Sequence, residues 1–132
     1  MSKSAIYIIN TTSGTAISAG GTYPINQVVR RFGCDLKSNG SGISASNSGY
    51  YKVDANITAI ATSAGIVTAT LLNNGVAVPG ATASVTATEG ATVNLPIDSI
   101  IRVNCCGNPA DLTIEISSAI TTVNASMTAS KL

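Results

Sequence analysis

The stretch Thr68–Thr86, TATLLNNGVAVPGATASVT, carries the clearest structural signal in the chain. Two runs of β-prone residues flank Asn73-Asn74-Gly75, and an Asn-Gly pair favours a tight hairpin turn because both residues tolerate positive φ. None of the side chains in this stretch could act as a nucleophile, a general acid or a metal ligand. The stretch therefore predicts a β-hairpin whose role is structural.

Alternation of apolar and polar residues predicts further strands on both sides of this hairpin. In YYKVDANITAI (residues 50–60) the odd-numbered positions are apolar or aromatic, and every even-numbered position from 52 to 58 is polar. DLTIEIS (111–117) and TTVNASMTAS (121–130) alternate in the same way. The other predicted strands, which lie between Gly-, Pro- and Asn-rich turns, are Ala5–Asn10, Ile25–Phe32, Gly42–Ala45, Ile66–Leu72, Val76–Pro79, Thr82–Thr86, Ala91–Leu95 and Ile100–Asn104.

The spacing of these segments predicts the fold class. No window shows a convincing helical period with a cap, and turn signals recur about every 8–12 residues, which is typical of a sandwich or jelly roll. We therefore expect an all-β protein, a jelly-roll sandwich of about ten short antiparallel strands. A length of 132 residues predicts a single domain, 1–132.

The charge content bears on the kind of partner. Only 10% of the residues are charged, the net charge is +1, and the seven Lys and Arg residues are scattered along the sequence. A nucleic-acid-binding domain needs a basic field, so we expect no nucleic acid partner. No apolar segment approaches the roughly 20 residues of a membrane span. The apolar run Ala5–Ile9 is too short for a secretion signal. We therefore expect that the protein is made in a host cytoplasm and does not associate with a membrane.

The reactive residues predict neither an enzyme nor a metal protein. There is no His, and none of the abundant Ser and Thr hydroxyls has an evident activating base. The three cysteines, Cys34, Cys105 and Cys106, are odd in number and lack the CxxC spacing of a zinc site. We expect no catalytic residue, no metal and no cofactor. We also expect free and mostly buried thiols, with a bridge from Cys34 to one of the adjacent pair as the alternative.

Two motifs carry a resemblance to a known family. The segment SGYYKVDANITAIATSAGIVTATLLNNGVAVPGATAS resembles the middle of a C1q/TNF-like jelly roll, in which a Gly-x-Tyr-x-Val strand is followed by a strand ending in Leu-x-x-Asn-Gly. Gly49, Tyr51 and Val53 match the first motif, and Leu71 with Asn74-Gly75 matches the second. The C-terminal DLTIEIS and TTVNASMTASKL are similar to the paired last strands of that family. The whole chain looks like a short phage virion protein of the head-fibre or capsid-decoration type.

This resemblance implies a homotrimer whose subunits pack around a threefold axis through Tyr and aliphatic side chains. A core made largely of Ala, Val, Ile and Leu is thin, which also makes burial between subunits plausible. Ordinary packing within the subunit remains an alternative for both tyrosines. The candidate residues for trimer packing are Tyr50, Tyr51, Val53, Ile114, Ile116 and Met127.

The N-terminal region suggests a contact with a partner. Residues 1–20 place an apolar strand before a flexible Ser/Thr/Gly stretch, and such a segment can add a strand to the open edge of a partner's sheet. It could equally form the first strand of the subunit's own sheet. The pair Arg30-Arg31 could meet an acidic partner or could line a solvated strand edge. The candidate docking residues are Ile6, Tyr7, Ile8, Arg30 and Arg31.

These observations predict a structural protein of a bacteriophage. We expect a trimeric head fibre or capsid decoration protein on the outer surface of the phage head, with capsid or other virion proteins as partners. The alternatives are a receptor- or glycan-binding tip of a phage tail fibre and a bacterial surface trimer. A sugar-binding tip would usually favour exposed aromatics or a calcium site, and a bacterial trimer of this kind would carry a collagen-like stem.

Overall fold

The computed structural model describes residues 3–104 and 109–132, and within them it contains strands and no helix. It has no helix that could cross a membrane in this part of the chain. The strands are β1 (Ala5–Asn10), β2 (Ala16–Ile17), β3 (Thr22–Tyr23), β4 (Gln27–Phe32), β5 (Leu36–Ser38), β6 (Ile43–Ala45), β7 (Gly49–Ala61), β8 (Gly65–Asn73), β9 (Val76–Ala87), β10 (Thr92–Val103), β11 (Ala110–Ile116) and β12 (Ile120–Lys131).

The strands form two antiparallel sheets that pack face to face. The first sheet has the order β10-β7-β12-β1-β4, with β2 added beside β12. The second has the order β5-β6-β11-β8-β9, with β3 added beside β11. Neighbours such as β12 and β1 lie far apart in sequence, as expected for a jelly roll rather than a meander. The predicted all-β jelly-roll sandwich is therefore confirmed.

The hairpin of the opening stretch forms as predicted. β8 and β9 are antiparallel neighbours, and Asn73 pairs with Val76 across the turn. Asn74 and Gly75 have φ values of 53° and 82°, which is the conformation that a two-residue type I′ turn requires. The Asn74 backbone N–H donates to the Asp111 carbonyl oxygen at 2.9 Å, so the turn is also tied to the neighbouring strand β11.

Two predicted breaks between strands are wrong. The single strand β9 contains both Val76–Pro79 and Thr82–Thr86. Likewise, the single strand β10 contains most of the two predicted strands on either side of Pro96, Ala91–Leu95 and Ile100–Asn104. Proline lacks a backbone N–H and is tolerated only where no ladder hydrogen bond is needed. Because β9 and β10 are the outermost strands of their sheets, Pro79 and Pro96 fit without ending either strand. The short strands β2, β3 and β5 were not predicted.

The core lies between the inner faces of the two sheets. The alternation predicted for β7 is confirmed, since its odd-numbered residues from Tyr51 to Ala61 are all buried. In β12 the phase changes, because a register shift between Thr122 and Asn124 turns Thr122 inward and leaves Val123 half-buried. The chain exposes 6623 Å², close to the roughly 6,400 Å² expected for a monomer of this mass. The single subunit is thus as well buried as an ordinary monomeric domain.

The N-terminal segment completes the subunit's own sheet. β1 lies between β12 and β4, with Ile6 opposite Ala129 on one side and Arg31 on the other. Both of its backbone edges are therefore used within the subunit, and β1 has no open edge to offer to a partner's sheet. Ile6 and Ile8 are 1% and 0% exposed. Their assignment as docking residues is corrected, because their side chains are part of the core.

Candidate assembly surfaces

Most of the residues proposed for trimer packing belong to the core of the single subunit. Tyr51, Val53, Ile114, Ile116 and Met127 are each 0% exposed. A side chain with no accessible surface in one subunit cannot contact another, so these five assignments are corrected. Alternation correctly placed these five residues on the apolar faces of their strands, but in a sandwich that face meets the opposite sheet and not a neighbouring molecule.

Tyr50 is the trimer candidate that reaches the surface. The residue is 53% exposed, and the Arg102 guanidinium lies 5.7 Å from the centroid of its ring. Its backbone carbonyl accepts a hydrogen bond from the Leu132 N–H at 2.9 Å, which ties the C-terminal residue to β7. Tyr50 therefore lies on the outer face of the first sheet, with Arg102 above its ring and the exposed Leu132 next to its backbone.

Exposed apolar side chains are concentrated on the first sheet. Among the described residues nine large hydrophobic side chains are exposed, and six of them belong to strands of that sheet: Tyr7, Val28, Val29, Phe32, Tyr50 and Ile100. The outer face of the second sheet is richer in hydroxyl groups, such as those of Thr68 and Ser84, which lie 2.8 Å apart. Val28 pairs with buried Ile8 and lies on the inner side, so the outer face of the first sheet owes its apolar character to Tyr7, Phe32, Tyr50 and Ile100.

Strand β4 is the least buried long strand of the protein. All six of its residues, QVVRRF, are exposed, and β1 is the only strand paired with it in the described part of the chain. Exposed apolar edge strands are sites of pairing with other chains. β4 carries two devices that limit such pairing, the charged pair Arg30-Arg31 and a register shift opposite Tyr7 and Ile8. The sequence contains no alternation in this segment, which is the signal that could have identified it as an edge.

The docking candidates outside the core lie close to one another. Tyr7 is 39% exposed and pairs directly with Arg30, so both project from the outer face of the first sheet. Arg31 points the other way, and its Nε donates a hydrogen bond to the Leu36 carbonyl oxygen at 2.7 Å. Arg31 thus ties the edge of the first sheet to β5 of the second, whereas Tyr7 and Arg30 remain available to a partner.

Two carboxylates face each other at the opposite margin of this sheet. Asp98 of β10 pairs with Asp54 of β7, and the pKa of Asp54 is raised because the Asp98 carboxylate can accept a hydrogen bond from a protonated Asp54, and also because Asp54 is partly buried. Lys52 lowers that pKa only in part, because its Nζ lies 4.0 Å from Asp54 and both side chains are well exposed. Among the described residues, Asp54 Oδ1 is buried and has no hydrogen-bond partner. Like charges directly opposite in a sheet are destabilising, so a further cation near this pair would reduce the repulsion between the two carboxylates.

A buried ion pair fixes the corner where the two sheets meet. Asp35 is 2% exposed, accepts a hydrogen bond from the Asn47 side chain, and lies 3.1 Å from Lys131 Nζ. These two contacts lower the pKa of Asp35 against the opposing effect of burial. The Tyr51 hydroxyl donates to the Asn47 carbonyl oxygen at 2.6 Å and so extends the network. The corner therefore links β12 of the first sheet to the loops around β5 and β6 of the second.

The thiol predictions have a mixed outcome. Cys34 is free as predicted, but it is exposed and not buried. It follows Gly33 in the loop between β4 and β5, where the chain crosses from one sheet to the other. Cys105 and Cys106 lie outside the described residues. Within the described ranges no cluster of three or more His, Cys, Asp or Glu side chains could hold a metal ion.

Comparison with solved structures identifies the fold. Murine APRIL superposes with a TM-score of 0.75 at 11% identity, covering 99% of this chain and all of that one. The PRD1 vertex protein P5 superposes with a TM-score of 0.62 at 17% identity, covering 98% and 96% of the two chains. The globular domain of zebrafish complement 1qA gives 0.64 at 7% identity, covering 97% and 95%. No protein-family model and no curated protein sequence matches the chain.

These similarities and the sheet order define the class of protein. Two antiparallel sheets packed as a sandwich form a jelly roll, and the superpositions extend over almost the whole chain. The protein therefore has the C1q/TNF-like jelly-roll fold, as its sequence motifs predicted.

Proposed function

We propose that the protein is a structural virion protein of a bacteriophage, a trimeric head fibre or capsid decoration protein on the outer surface of the head. The observation that carries this proposal is the superposition with the PRD1 vertex protein P5 over nearly the full length of both chains. That neighbour is a phage vertex protein, so this fold occurs at the surface of a phage particle. The hairpin of the opening stretch then serves as part of a scaffold.

The distribution of surface chemistry supports a trimer. The family resemblance implies three subunits around an axis, and the outer face of the first sheet carries four exposed apolar side chains, with Tyr50 and Ile100 towards one margin and Tyr7 and Phe32 towards the other. A stable contact of this kind buries more than about 1,000 Å² per pair of subunits. The hydroxyl-rich outer face of the second sheet then meets water, which suits a passive particle surface.

The oligomeric state is tested first. Light scattering and sedimentation at micromolar concentration are expected to give a trimer, and Tyr50→Ala is expected to weaken it because a half-exposed ring at the proposed interface is lost. Ser84→Ala, on the outer face of the second sheet, is the matched control and is expected to leave the trimer intact. A stable monomer at micromolar concentration would contradict the trimer.

The location is tested on intact particles. Protease treatment or gold-labelled antibody applied to undisrupted virions is expected to reach the protein on the head. Protection until the capsid is opened would show that the protein lies inside. Label confined to the tail would replace the head-decoration proposal with the receptor-binding tail tip.

A further inference from the structure

Four cationic side chains lie near the β4 margin of the first sheet. Lys3, Arg30, Arg31 and Lys37 surround β4 and the start of β5, and we call these four residues the basic margin. All four are exposed, and none forms an ion pair with a carboxylate of the described residues. The carboxylate that lies beside them, Asp35, is buried and already bound by Lys131. The basic margin is therefore an uncompensated cationic surface on a protein whose net charge is only +1.

The other margin carries two carboxylates next to Lys52, and Arg102 lies two rows away over the Tyr50 ring. Asp54 and Asp98, the carboxylate pair, lie on β7 and β10 at the far side of the same sheet. The groups that face this pair are Lys52 on β7 and Thr128 on β12, and β10 is an outermost strand. Only one of these neighbours is a cation, and it lies 4.0 Å away with more than half of its side chain exposed. The carboxylate pair is therefore incompletely neutralised.

Arg30 and the carboxylate pair lie at the same height, that is, at the same position along the direction of the strands. The strand registers place Asp98, Asp54, Thr128, Tyr7 and Arg30 in one row across the outer face. Neighbouring strands lie about 4.8 Å apart, so Arg30 is about 14 Å from Asp54 and about 19 Å from Asp98 within one subunit. These distances are too long for an ion pair, and the two charges cannot neutralise each other inside the chain.

The next row has the same arrangement for apolar side chains. This row has the exposed Ile100 at one margin and the exposed Phe32 at the other. Across the sheet its members are Ile100, Lys52, Ser130, Ala5 and Phe32. β4 and β10 run in the same direction, because three antiparallel strands separate them. Going along either strand, a charged residue is therefore followed two positions later by an exposed apolar one. The two margins are therefore matched in height, spacing and direction, and within the matched row Arg30 is opposite in charge to Asp98 and Asp54.

We propose that the β4 margin of one subunit docks onto the β10 margin of a second copy, so that Arg30 meets Asp98 and Asp54 while Phe32 meets Ile100. A rotation about an axis parallel to the strands leaves each residue at its own height, so the matched rows meet in every contact. The contact joins two different surfaces and closes into a ring, whereas a contact between two β4 margins would bring the cations of the basic margin together. This inference rests on the proposed trimer and assigns the charge contact that sets its register.

The test reverses the charges one at a time and then together. Arg30→Glu and Asp98→Arg are each expected to raise the concentration at which the trimer dissociates at least about tenfold, because each variant opposes like charges across the contact. The combined variant again places opposite charges across the contact, with their positions exchanged. Its trimer is expected to dissociate at a concentration within about threefold of that of the unaltered protein. Sedimentation velocity over a concentration series measures all three. Glu115→Arg, which makes the same charge change on the second sheet, is the matched control and is expected to have no effect.

The outcomes separate this inference from the trimer itself. An unaltered protein that is monomeric at every concentration overturns the proposed trimer and this contact with it. A trimer that withstands both single reversals, or that the combined variant fails to restore, overturns the contact and leaves the trimer standing. Circular dichroism verifies that each variant is folded, and Arg30→Gln and Asp98→Asn replace any reversal that unfolds the chain, with a smaller weakening expected from each.

Discussion

Substitution of Asp35 by Asn tests whether the buried corner holds the two sheets together. The carboxylate is bound by the Asn47 side chain and by Lys131 Nζ, and the substitution keeps the shape while it removes the charge. Removing one partner of a buried ion pair costs about 3–5 kcal/mol. The side chain of Lys131 is 17% exposed and can regain water, so we expect a loss of about 3 kcal/mol, or about 10 °C in melting temperature for a domain of this size.

The pH dependence follows from the sign of the pKa shift. The pKa of Asp35 is lowered in the folded state by Asn47 and Lys131, from an ordinary value of 3.8. A carboxyl group with a lowered folded pKa stabilises the protein above its unfolded pKa, and this stabilisation is lost as the pH falls through the folded value. The stability difference between the unaltered protein and the Asp35→Asn variant is therefore expected to be complete at neutral pH and to shrink below pH 3.8.

Urea unfolding at one fixed protein concentration measures this difference, because the stability of an assembling protein depends on concentration. Asp111→Asn removes an exposed carboxylate and is the matched control, with little change expected. Lys131→Met, alone and combined with Asp35→Asn, measures the coupling between the two side chains. An unchanged midpoint at neutral pH, or a loss that persists undiminished at about pH 2, would refute the assignment of the stability to an ionised Asp35.

Three further predictions concern backbone space, packing and thiol access. Gly42→Ala is expected to cost more than about 2 kcal/mol, because a Cβ there would collide with the Leu112 carbonyl oxygen, whereas Gly40→Ala has open space and is expected to cost only the smaller strain of its positive φ; equal thermal shifts would contradict this difference. Met127→Ala is expected to lower the free energy of unfolding by about 2–5 kcal/mol without changing the subunit interface, as the residue is fully buried in one chain; unaltered urea stability with a lost trimer would be the opposite result. Cys34 is expected to react with a thiol reagent in the native protein because it is exposed, and denatured protein without reductant is expected to give three thiols per chain; Cys34→Ser should lower the number of thiols that react in the native protein by one.

Local pattern in the sequence was enough to predict the fold class. The Asn-Gly turn and the alternation in β7 depend on backbone preferences and on the contrast between one wet and one dry face, and both are confirmed. The family motifs extended this to the C1q/TNF-like jelly roll. Among the candidate residues proposed from the sequence, Tyr50, Tyr7 and Arg30 are exposed, whereas others such as Tyr51 are covered by the opposite sheet.

Sheet order and strand register were decided only by the tertiary structure, because both depend on contacts between residues far apart in the chain. From the sequence, Pro79 and Pro96 predict breaks between strands. In the structure no break is needed, because β9 and β10 are the outermost strands of their sheets and an N–H group can be absent there. The phase change at Thr122 comes from a register shift that leaves no local signal. Asp54 and Asp98 are 44 positions apart in sequence, and only the pairing of β7 with β10 brings them together. The same pairing places them level with Arg30 at the other margin, because a row across a sheet is a property of all its strands at once.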